Sequence, residues 1–304
     1  MNISCIIPAL NEENNIGALI KSILAQELGS DLSITEIIVV DNGSTDSTVA
    51  IAEGLGANVH IKPNYNIGGL RNYGARIAKG EILVFLDADN ILTENVIANL
   101  YNNLVKDNVG AIGIPLRPYK NPTWVENIWF YHIHTYSKGL NVANHIASGA
   151  FGIKKELFIS AGGFDERLTV GEDTELSLRI KSMGKEILLD PNCVVYNNGF
   201  PKTIIEFSRK EIWHGDSIKS IAIHRNLDYL TVYFILCLLT VIFAILSLTG
   251  VFPLIGVILP VLFIGGPSLV KAYNRTMKVN KVFLQLSVIY MVYIFSRTLS
   301  LIWP

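Results

Sequence analysis

The sequence predicts an α/β fold, in which a mostly parallel sheet with helices on both faces is followed by C-terminal transmembrane helices. Two observations support this. In the first part of the chain, short apolar strands alternate with helices, the order that gives a doubly wound sheet with right-handed crossovers. The chain has 304 residues, is 50% hydrophobic and has a mean hydropathy of +0.38. Most of the apolar excess lies beyond about residue 225, which separates a globular part from a lipid-compatible one.

Turn residues and helix-start residues delimit the elements. Pro8 stops the first strand, because proline has no N–H to donate. Asp46 or Ser44 would cap the second helix, and Gly68 with Gly69 opens the third. The other predicted elements are the strands 3–7, 36–40, 58–61, 82–86 and 110–115 and the helices 14–26, 68–79 and 95–106.

The strand at 82–86 runs directly into two carboxylates, Asp87 and Asp89. A continuous apolar run bounded by Gly80 and Asn90 is typical of a strand buried on both faces of a parallel sheet. Ligands bind beyond the carboxyl ends of such strands. The two like charges repel, and Mg²⁺ or Mn²⁺ would relieve this, because both prefer oxygen ligands. The alternative is a strand end with two solvated acids, since Asp-x-Asp alone is common.

Three strand ends should meet at one edge of the sheet. Pro8, Asp41 and Asp87 each follow an apolar strand, and polar groups that converge on one edge indicate a ligand site. Asp41 is placed to accept a hydrogen bond from the N–H of a base. Its alternative role is that of a turn residue that caps the next helix.

Four motifs in the first half resemble those of the family 2 glycosyltransferases. They are Pro8-Ala9-Leu10-Asn11-Glu12-Glu13, Val39-Val40-Asp41-Asn42-Gly43-Ser44-Thr45-Asp46, Gly68-Gly69-Leu70-Arg71-Asn72-Tyr73-Gly74 and Phe85-Leu86-Asp87-Ala88-Asp89. They occur in the usual order and at the usual intervals, which is far more specific than any one of them. The resemblance implies a GT-A fold that binds a nucleoside-diphospho-sugar donor.

The resemblance also assigns roles to the matching residues. Asp41 would bind the nucleobase, and residues of the first motif would line the nucleoside pocket. Arg71 would reach the nucleotide, its alternative being a surface arginine on the third helix. Asp87 and Asp89 would hold the ribose and a divalent cation, Mn²⁺ or Mg²⁺, on the diphosphate. The full set expected at the donor is Pro8, Ala9, Asn11, Glu12, Asp41, Arg71, Asp87 and Asp89.

The second half of the family signature lies at Gly162-Gly163-Phe164-Asp165-Glu166 and at Gly171-Glu172-Asp173. The resemblance implies that Asp173 is the general base, and we expect Glu172 to orient it or to contact the acceptor. A sugar hydroxyl must lose its proton as it attacks the anomeric carbon, and a carboxylate within hydrogen-bond reach accepts it. Attack opposite the leaving group inverts the anomeric centre. The alternative is that both acids are present only because the first turn of a helix favours carboxylates.

The third metal ligand is less clearly marked. Many relatives carry a histidine just after the strand near Tyr196, where this chain has Asn197 and Asn198. His214 is available as a metal ligand instead. Its alternative is a helix-surface histidine at the bilayer interface.

The acceptor side is expected in the stretch 118–138, which is rich in aromatic residues. Aromatic faces stack on sugar rings and also suit a lipid interface, and a packed helix is the alternative. Ile212 stands where the processive synthases carry the second arginine of their polymer-gripping motif, so we expect transfer of a single sugar.

Three apolar runs in the last quarter are each long enough to cross a bilayer. They cover 231–251, 252–270 and 282–303, and Arg297 lies inside the third. The loop after the second run is basic, which places it in the cytoplasm on the same side as the enzyme domain. Arg297 would face other helices or pair with a lipid phosphate. We therefore expect a multi-pass protein of the cell (inner) membrane whose catalytic domain is cytoplasmic.

The predicted domains follow these patterns. A cytosolic enzyme domain covers 1–228, with a nucleotide-sugar half at 1–115, an acceptor half at 116–200 and interfacial helices after it. The membrane region covers 229–304. The chain opens with a strand and shows no basic stretch followed by an apolar segment, so we expect no signal peptide.

Other classes of protein fit the sequence less well. A formal net charge of -1 gives no basic footprint for nucleic acid. The expected partners are the donor, a glycan or lipid-linked acceptor, and membrane lipid.

Transfer to polyprenyl phosphate is the nearest rival function, but an ionised phosphate needs no base such as Asp173. An inactive scaffold would not need the full set of acids. A nucleotidyltransferase would want a glycine-rich phosphate loop near the first strand, where residues 8–13 contain no glycine.

Overall fold

A computed structural model describes residues 1–133, 140–143, 145–147, 149–215, 229–246, 259–277 and 280–301. The chain forms two compact units, which are described separately. The first unit comprises Met1–Tyr119 and Tyr136–Gly199, and the second comprises Lys120–Thr135 and Phe200–Pro304.

The first unit is built on a large sheet. Among the described residues its strands run in the order β3, β2, β1, β4, β9, β6, β10, β8. The bounds are β1 Asn2–Ala9, β2 Ser33–Asp41, β3 Asn58–Ile61, β4 Ile82–Leu86, β6 Val109–Gly113, β8 Asn141–Val142, β9 Ala150–Lys154 and β10 Glu186–Leu189. A small sheet has the order β5 (Asn90–Leu92), β11 (Val195–Asn197), β7 (Leu116–Pro118).

Helices cover both faces of the large sheet, as the sequence predicted. They are α1 Ile16–Leu24, α2 Thr48–Gly54, α3 Ile67–Ile77, α4 Val96–Leu104, α6 Lys155–Ser160 and α7 Glu172–Ser182. Successive strand residues point to opposite faces. In β4, Val84 and Leu86 pack with α1 and α4, whereas Leu83 and Phe85 pack with α3 and α7. All of β4 is buried, which confirms the interpretation of its apolar run.

The sheet differs from the prediction at two places. β1 does not end at Pro8 but continues to Ala9. Proline is tolerated there because β4 pairs with β1 only as far as Ile6, so pairing with β4 does not require an N–H from residue 8. The other difference is β9, which runs antiparallel to both β4 and β6 although the sequence predicted a mostly parallel sheet. The sheet is therefore mixed, with a parallel half that carries the strand ends of interest.

The second unit is helical. It contains α5 Trp124–Ile133, α8 Ile204–His214, α9 Tyr229–Leu246, a π-helical turn at Val261–Gly265, α10 Gly266–Thr276 and α11 Lys281–Leu299. Small residues let α8 approach α11 closely. The hydroxyl groups of Ser208 and Ser296 lie 2.8 Å apart, and a Cβ added to Gly215 would lie 1.9 Å from Ser300 Oγ. Because α8 packs on α11, it groups with the C-terminal helices and not with the predicted enzyme domain.

Arg297 is held inside this unit. Its Nε donates to Glu211 Oε2 at 2.8 Å and its Nη1 to the carbonyl of His214 at 2.7 Å. Only 16% of the Arg297 side chain and 3% of the Glu211 side chain are exposed. Of the two alternatives for Arg297, the structure matches contact with another helix, and the partner is an acid on α8 that no sequence pattern marked.

The prediction of about three membrane spans is not supported. Among the described residues, only α11 is long and apolar enough to cross a membrane. The end of the first predicted span and the start of the second, residues 247–258, lie outside the described residues. What is described of the second run is broken by the π-helical turn and by Pro267 at the start of α10.

Candidate active site

The carboxyl ends of three adjacent strands, β2, β1 and β4, lie side by side. Ala9 is paired with Asp41 across β1 and β2, and Ile6 is paired with Phe85 across β1 and β4. Asp87 follows β4 directly and therefore comes to the same edge as the end of β1. The strand order thus brings together the three ends that the sequence had placed on one edge.

A cavity of about 300 Å³ opens at this edge. Its walls include Pro8 and Ala9 and three carboxylates, those of Glu12, Asp87 and Asp89. The predicted donor residues Asn11, Asp41 and Arg71 are not part of these walls. Three acids around one small cavity repel one another, and a bound cation would relieve that repulsion.

The carboxyl group of Glu12 has a raised pKa. Burial is the main cause, and repulsion by Asp87 and Asp46 adds to it, while a hydrogen bond from Asn15 Nδ2 at 2.8 Å opposes it. A cation bound beside Asp87 would lower this pKa again. The electrostatics therefore favour a positive charge in the cavity.

The loop after β1 is tied to the turn after β2. Asn11 has a φ of 55°, which asparagine tolerates better than most residues. Its N–H donates to Ser44 Oγ at 2.8 Å, and its Oδ1 accepts from the N–H of Thr45 at 2.9 Å. The N–H of Glu12 donates to Thr48 Oγ1 at 2.7 Å. Asn11 thus shapes the loop that carries Glu12.

Asp41 is fully buried beneath this turn. Its Oδ1 accepts from the N–H groups of Gly43 at 2.8 Å and Ser44 at 2.7 Å, and its Oδ2 accepts from the Ser44 hydroxyl. Gly43 has a φ of 89°, which glycine adopts without strain. These contacts make Asp41 a turn residue, as its alternative role required, although the residue that caps α2 is Ser47.

Arg71 lies inside the first unit, and only 2% of the residue is exposed, which excludes its interpretation as a surface arginine. Its Nη2 donates to Asp87 Oδ1 at 2.6 Å, and its Nη1 donates to Glu172 Oε1 at 2.9 Å. Its Nε has no hydrogen-bond partner among the described residues. The side chain bridges the end of β4 and the start of α7.

Asp89 is held by the end of β11 and the residues after it. Asn197 Nδ2 donates to Asp89 Oδ1 at 2.6 Å and to Asn90 Oδ1 at 2.9 Å. The N–H of Gly199 donates to Asn197 Oδ1 at 2.9 Å, which fixes the orientation of the amide. The sequence marked Asn197 only as a missing histidine, and its contact with Asp89 was not predicted.

The predicted base lies in the first turn of α7. Gly171, with a φ of 86°, precedes the helix. Glu172 is buried on Arg71, whereas Asp173 is partly exposed and accepts the N–H of Thr174 at 2.6 Å. The two acids therefore have different surroundings: Glu172 is part of an internal ion pair, and Asp173 is partly exposed.

Two asparagines of α3 and its N-terminal cap hold the loop that leads to α7. Asn72 accepts the N–H of Phe164 at 2.8 Å and donates to its carbonyl at 2.9 Å. Asn66 donates to the carbonyls of Glu166 and Leu168. Asn72 lies inside the quoted motif next to Arg71, so its place was marked, but its partner lies 92 residues away and could not be deduced.

A larger cavity, of about 570 Å³, lies beside this loop and away from the strand ends. Its charged walls are already paired: Arg167 with Asp165 at 2.7 Å, and Arg179 with Glu175. Hydrogen bonding to Arg167 lowers the pKa of Asp165 to about 2. Because these charged side chains already pair with one another, the described walls of the cavity offer no free charge to bind a donor, and they serve the structure of the loop.

The residues predicted to contact the metal ion and the acceptor also include members of the second unit. His214 ends α8, and burial lowers its pKa to about 4, with repulsion by Arg297 and Lys210 adding to the effect.

The described part of the aromatic stretch predicted to bind the acceptor includes α5. In this helix Val125 is buried, and the ring of Trp129 lies 4.8 Å from that of Phe207. These contacts match the packed-helix alternative. The remainder of the aromatic stretch, 134–139, lies outside the described residues.

The donor set fits a hard divalent cation. Within the part of the chain that the structure describes, no three His, Cys, Asp or Glu side chains lie close enough to hold a metal ion alone. Mg²⁺ and similar ions are commonly held by one or two carboxylates together with substrate phosphates and water. Asp87 and Asp89, on the walls of one cavity, supply such a pair.

Comparison with known proteins matches the chain to a glycosyltransferase family and to individual glycosyltransferases. Residues 4–160, just over half of the chain, match the model of the family described as Glycosyl transferase family 2. The uncharacterized glycosyltransferase YfnE of Bacillus subtilis is 35% identical over 103 residues, which are 32% of this chain and 26% of that protein. An uncharacterized glycosyltransferase of Haemophilus influenzae is 24% identical over 253 residues, which are 77% of each chain. The match to YfnE thus spans about a quarter of that protein's length.

A solved structure resembles nearly the whole chain. The mannosyltransferase PcManGT from Pyrobaculum calidifontis, in complex with GDP-Man and Mn²⁺, matches with a TM-score of 0.64. The match covers 99% of this chain and 87% of that one, at 19% sequence identity. Identity this low indicates a shared fold and nothing about the substrate.

Proposed function

The chain belongs to glycosyl transferase family 2 and is a glycosyltransferase, and we propose on this premise that it transfers one sugar, with inversion, from a nucleoside-diphospho-sugar to a hydroxyl of a glycan or lipid-linked acceptor. The observation that carries the proposal is the cavity at the strand ends, whose walls hold Glu12, Asp87 and Asp89. Arg71 connects this cavity to Glu172, the residue before the proposed base.

The donor would bind at the edge formed by β1, β2 and β4. Pro8, Ala9 and Glu12 supply cavity walls for the nucleoside. Asn11 and Asp41 contribute by holding the loop and the turn against which the base would lie. Most of these contacts come from backbone that is already fixed, so little ordering would be needed when the donor binds.

Asp87 and Asp89 would hold the cation, either Mn²⁺ or Mg²⁺. When bound, such a cation offsets the negative charge that gathers on the leaving nucleoside diphosphate. The protein's own contribution is to hold the two carboxylates ready: Arg71 fixes Asp87, and Asn197 fixes Asp89.

Asp173 would act as the general base. It is partly exposed in the first turn of α7. A carboxylate within reach of the acceptor hydroxyl takes its proton as the oxygen attacks the anomeric carbon. A hydroxyl acceptor needs this group, whereas a phosphate acceptor does not, and this favours the hydroxyl.

The second unit would attach the enzyme to a membrane. α11 is long and apolar enough to span, and the helical segments before it expose large apolar side chains, such as Leu239, Val261 and Val270. The described members of the basic segment that would face anionic head groups on the cytoplasmic side are Lys271 and Arg275 on α10 and Lys281 at the start of α11. The catalytic unit would then lie in the cytoplasm of the cell, at the inner membrane.

Donor turnover tests the proposal. The full chain, purified in detergent, is incubated with UDP-glucose, UDP-GlcNAc and GDP-mannose, each with Mn²⁺, Mg²⁺ or a chelator, and release of nucleoside diphosphate is measured. We expect cation-dependent release from one donor, increased by a lipid-linked sugar acceptor. Increase by polyprenyl phosphate in its place would favour the rival acceptor. Cation-dependent binding of UDP or GDP without turnover of any donor would indicate a scaffold and contradict the proposal.

A further inference from the structure

The guanidinium group of Arg71 connects two acids that are far apart in the sequence. Its contacts with Glu172 at 2.9 Å and with Asp87 at 2.6 Å use both terminal nitrogens. Glu172 is 5% exposed, so the contact with it is made almost without water. Arginine presents its donors in a rigid fork, and charge-assisted hydrogen bonds of this kind are strong and directional. The two contacts therefore fix the start of α7 relative to the end of β4.

The rest of α3 supports this connection. Asn66 and Asn72, on either side of Arg71 in the sequence, bind the backbone of the loop before α7 at Leu168 and Phe164. The loop is thus held along its length by side-chain amides, and its end is held by Arg71. A loop fixed at three points on one helix presents the residue that follows it in a defined place.

Close approach between α3 and the loop depends on glycine. A Cβ added to Gly68 would lie 3.3 Å from Phe164 Cβ and 3.7 Å from Glu172 Cγ. A Cβ added to Gly163 would lie 2.6 Å from Asn72 Oδ1, and Gly163 has a φ of 67°. Larger residues would push the helix and the loop apart. The Gly-Gly-x-Arg-Asn sequence is therefore shaped to receive this loop.

We infer that Arg71 is a positioning residue: by joining Glu172 to Asp87, it sets the place of Asp173 relative to the bound donor. The inference rests on the proposed function, in which Asp173 is the base and Asp87 lies at the donor. It gives Arg71 a different task from the nucleotide contact that the family resemblance implies. A guanidinium that turned away to bind a phosphate would leave the charge of Glu172 buried without this partner, which is costly.

A double-mutant cycle tests this task. Arg71→Lys, Glu172→Gln and the double variant are made in the full chain, and kcat and KM are measured with the donor that the wild type uses. The dissociation constant for UDP or GDP with Mn²⁺ is measured separately by calorimetry. We expect each single change to lower kcat about 100-fold, because misplacing a catalytic group by about 1 Å has that effect. Nucleotide affinity, measured at saturating Mn²⁺ so that any loosening of Asp87 is offset, should change by less than about threefold.

The double variant separates coupled from independent roles. If both residues act through one link, its kcat should be no lower than that of the worse single variant. Arg76→Gln is the matched control, since Arg76 is on the same helix, 58% exposed and 3.6 Å from Glu166. It should leave kcat unchanged. Thermal unfolding checks that each variant is folded, and if Arg71→Lys does not fold, the Glu172→Gln result decides.

Three results would overturn the inference while leaving the function intact. The first is a loss of UDP or GDP affinity in Arg71→Lys that accounts for its loss of activity, which would make Arg71 a nucleotide ligand. The second is a double variant whose loss equals the product of the single losses, and the third is a Glu172→Gln enzyme with normal kcat. A wild-type chain that turns over no donor would contradict the proposed function itself, and the inference would fall with it.

Discussion

Gly199 lies so close to Asp89 that a Cβ added to it would be 1.8 Å from Asp89 Oδ2. The N–H of Asn198, the residue before Gly199, donates to the carbonyl of Asp89 at 2.9 Å. The segment after β11 therefore forms the wall against which this carboxylate rests, and any side chain at position 199 must displace either the segment or the carboxylate. Because Asp89 is one of the two proposed cation ligands, the contact links backbone packing directly to the donor site.

Gly199→Ala should weaken cation-dependent nucleotide binding by about 10-fold or more, because shifting a residue that orients a metal ligand typically costs that much. The measurement is a Mn²⁺ titration of UDP or GDP binding in the full chain. Gly29→Ala is the matched control, since a Cβ there meets no atom within 4 Å. Equal Mn²⁺ dependence in the Gly199→Ala variant and the wild type would contradict the role of Asp89.

Asn197→Ala tests the same carboxylate without a steric clash. The change removes the hydrogen bond that Asn197 Nδ2 donates to Asp89 Oδ1 at 2.6 Å. We expect Mn²⁺ affinity to fall by about 10–100-fold. Saturating Mn²⁺ should then restore most of the donor turnover, because the base is untouched. Loss of turnover that no concentration of Mn²⁺ restores would argue that Asn197 serves only the fold.

Asp173→Asn should lower kcat by about 10²–10⁴-fold, the usual contribution of a general base. Asparagine has the same size but does not accept the proton, and the affinity for UDP or GDP with Mn²⁺ should stay near that of the wild type. Glu156→Gln is a suitable control, since it removes an exposed acid from the first turn of another helix, α6. Full turnover in the Asp173→Asn variant would remove the assignment.

The strand ends could be predicted from the sequence because they depend on local pattern. An apolar run such as that of β4 and the polar residues after it mark a buried strand and its edge wherever the rest of the chain lies. The parallel direction of these strands then follows from the alternation of strands and helices. Pro8 was wrongly predicted to end β1. Whether a strand can contain a proline depends on where its neighbour stops pairing with it, and here that is set by β4.

The connections within the site could not be predicted, because they join distant parts of the sequence. Arg71 and Glu172 are 101 residues apart, and nothing in either motif names the other as its partner. The same holds for the partner of Arg297, because a charged residue in an apolar run indicates that a partner is needed without saying which one. Among the described residues only α11 has the length and hydropathy of a span, and the second apolar run contains a π-helical turn at Val261–Gly265 that average hydropathy does not show.

Arg297→Met should destabilise the second unit, since removing one member of a buried ion pair leaves the other charge without compensation. The expected loss is about 3–5 kcal/mol of unfolding free energy. Thermal unfolding of the full chain in detergent measures it. The double variant Glu211→Gln/Arg297→Met should recover much of the loss, because no buried charge then remains.

The same variant should respond to pH in a defined direction. Burial already raises the pKa of Glu211, and the charge of Arg297 partly opposes this. Without Arg297 the pKa of Glu211 rises further in the folded state, so the folded variant binds a proton more tightly than the unfolded one. Its stability is then greatest at low pH and falls as the pH rises through the folded-state pKa. The difference in unfolding temperature between the variant and the wild type should therefore be larger at about pH 8 than at about pH 5. A difference that stays constant across this range would mean that Glu211 is not the group left uncompensated.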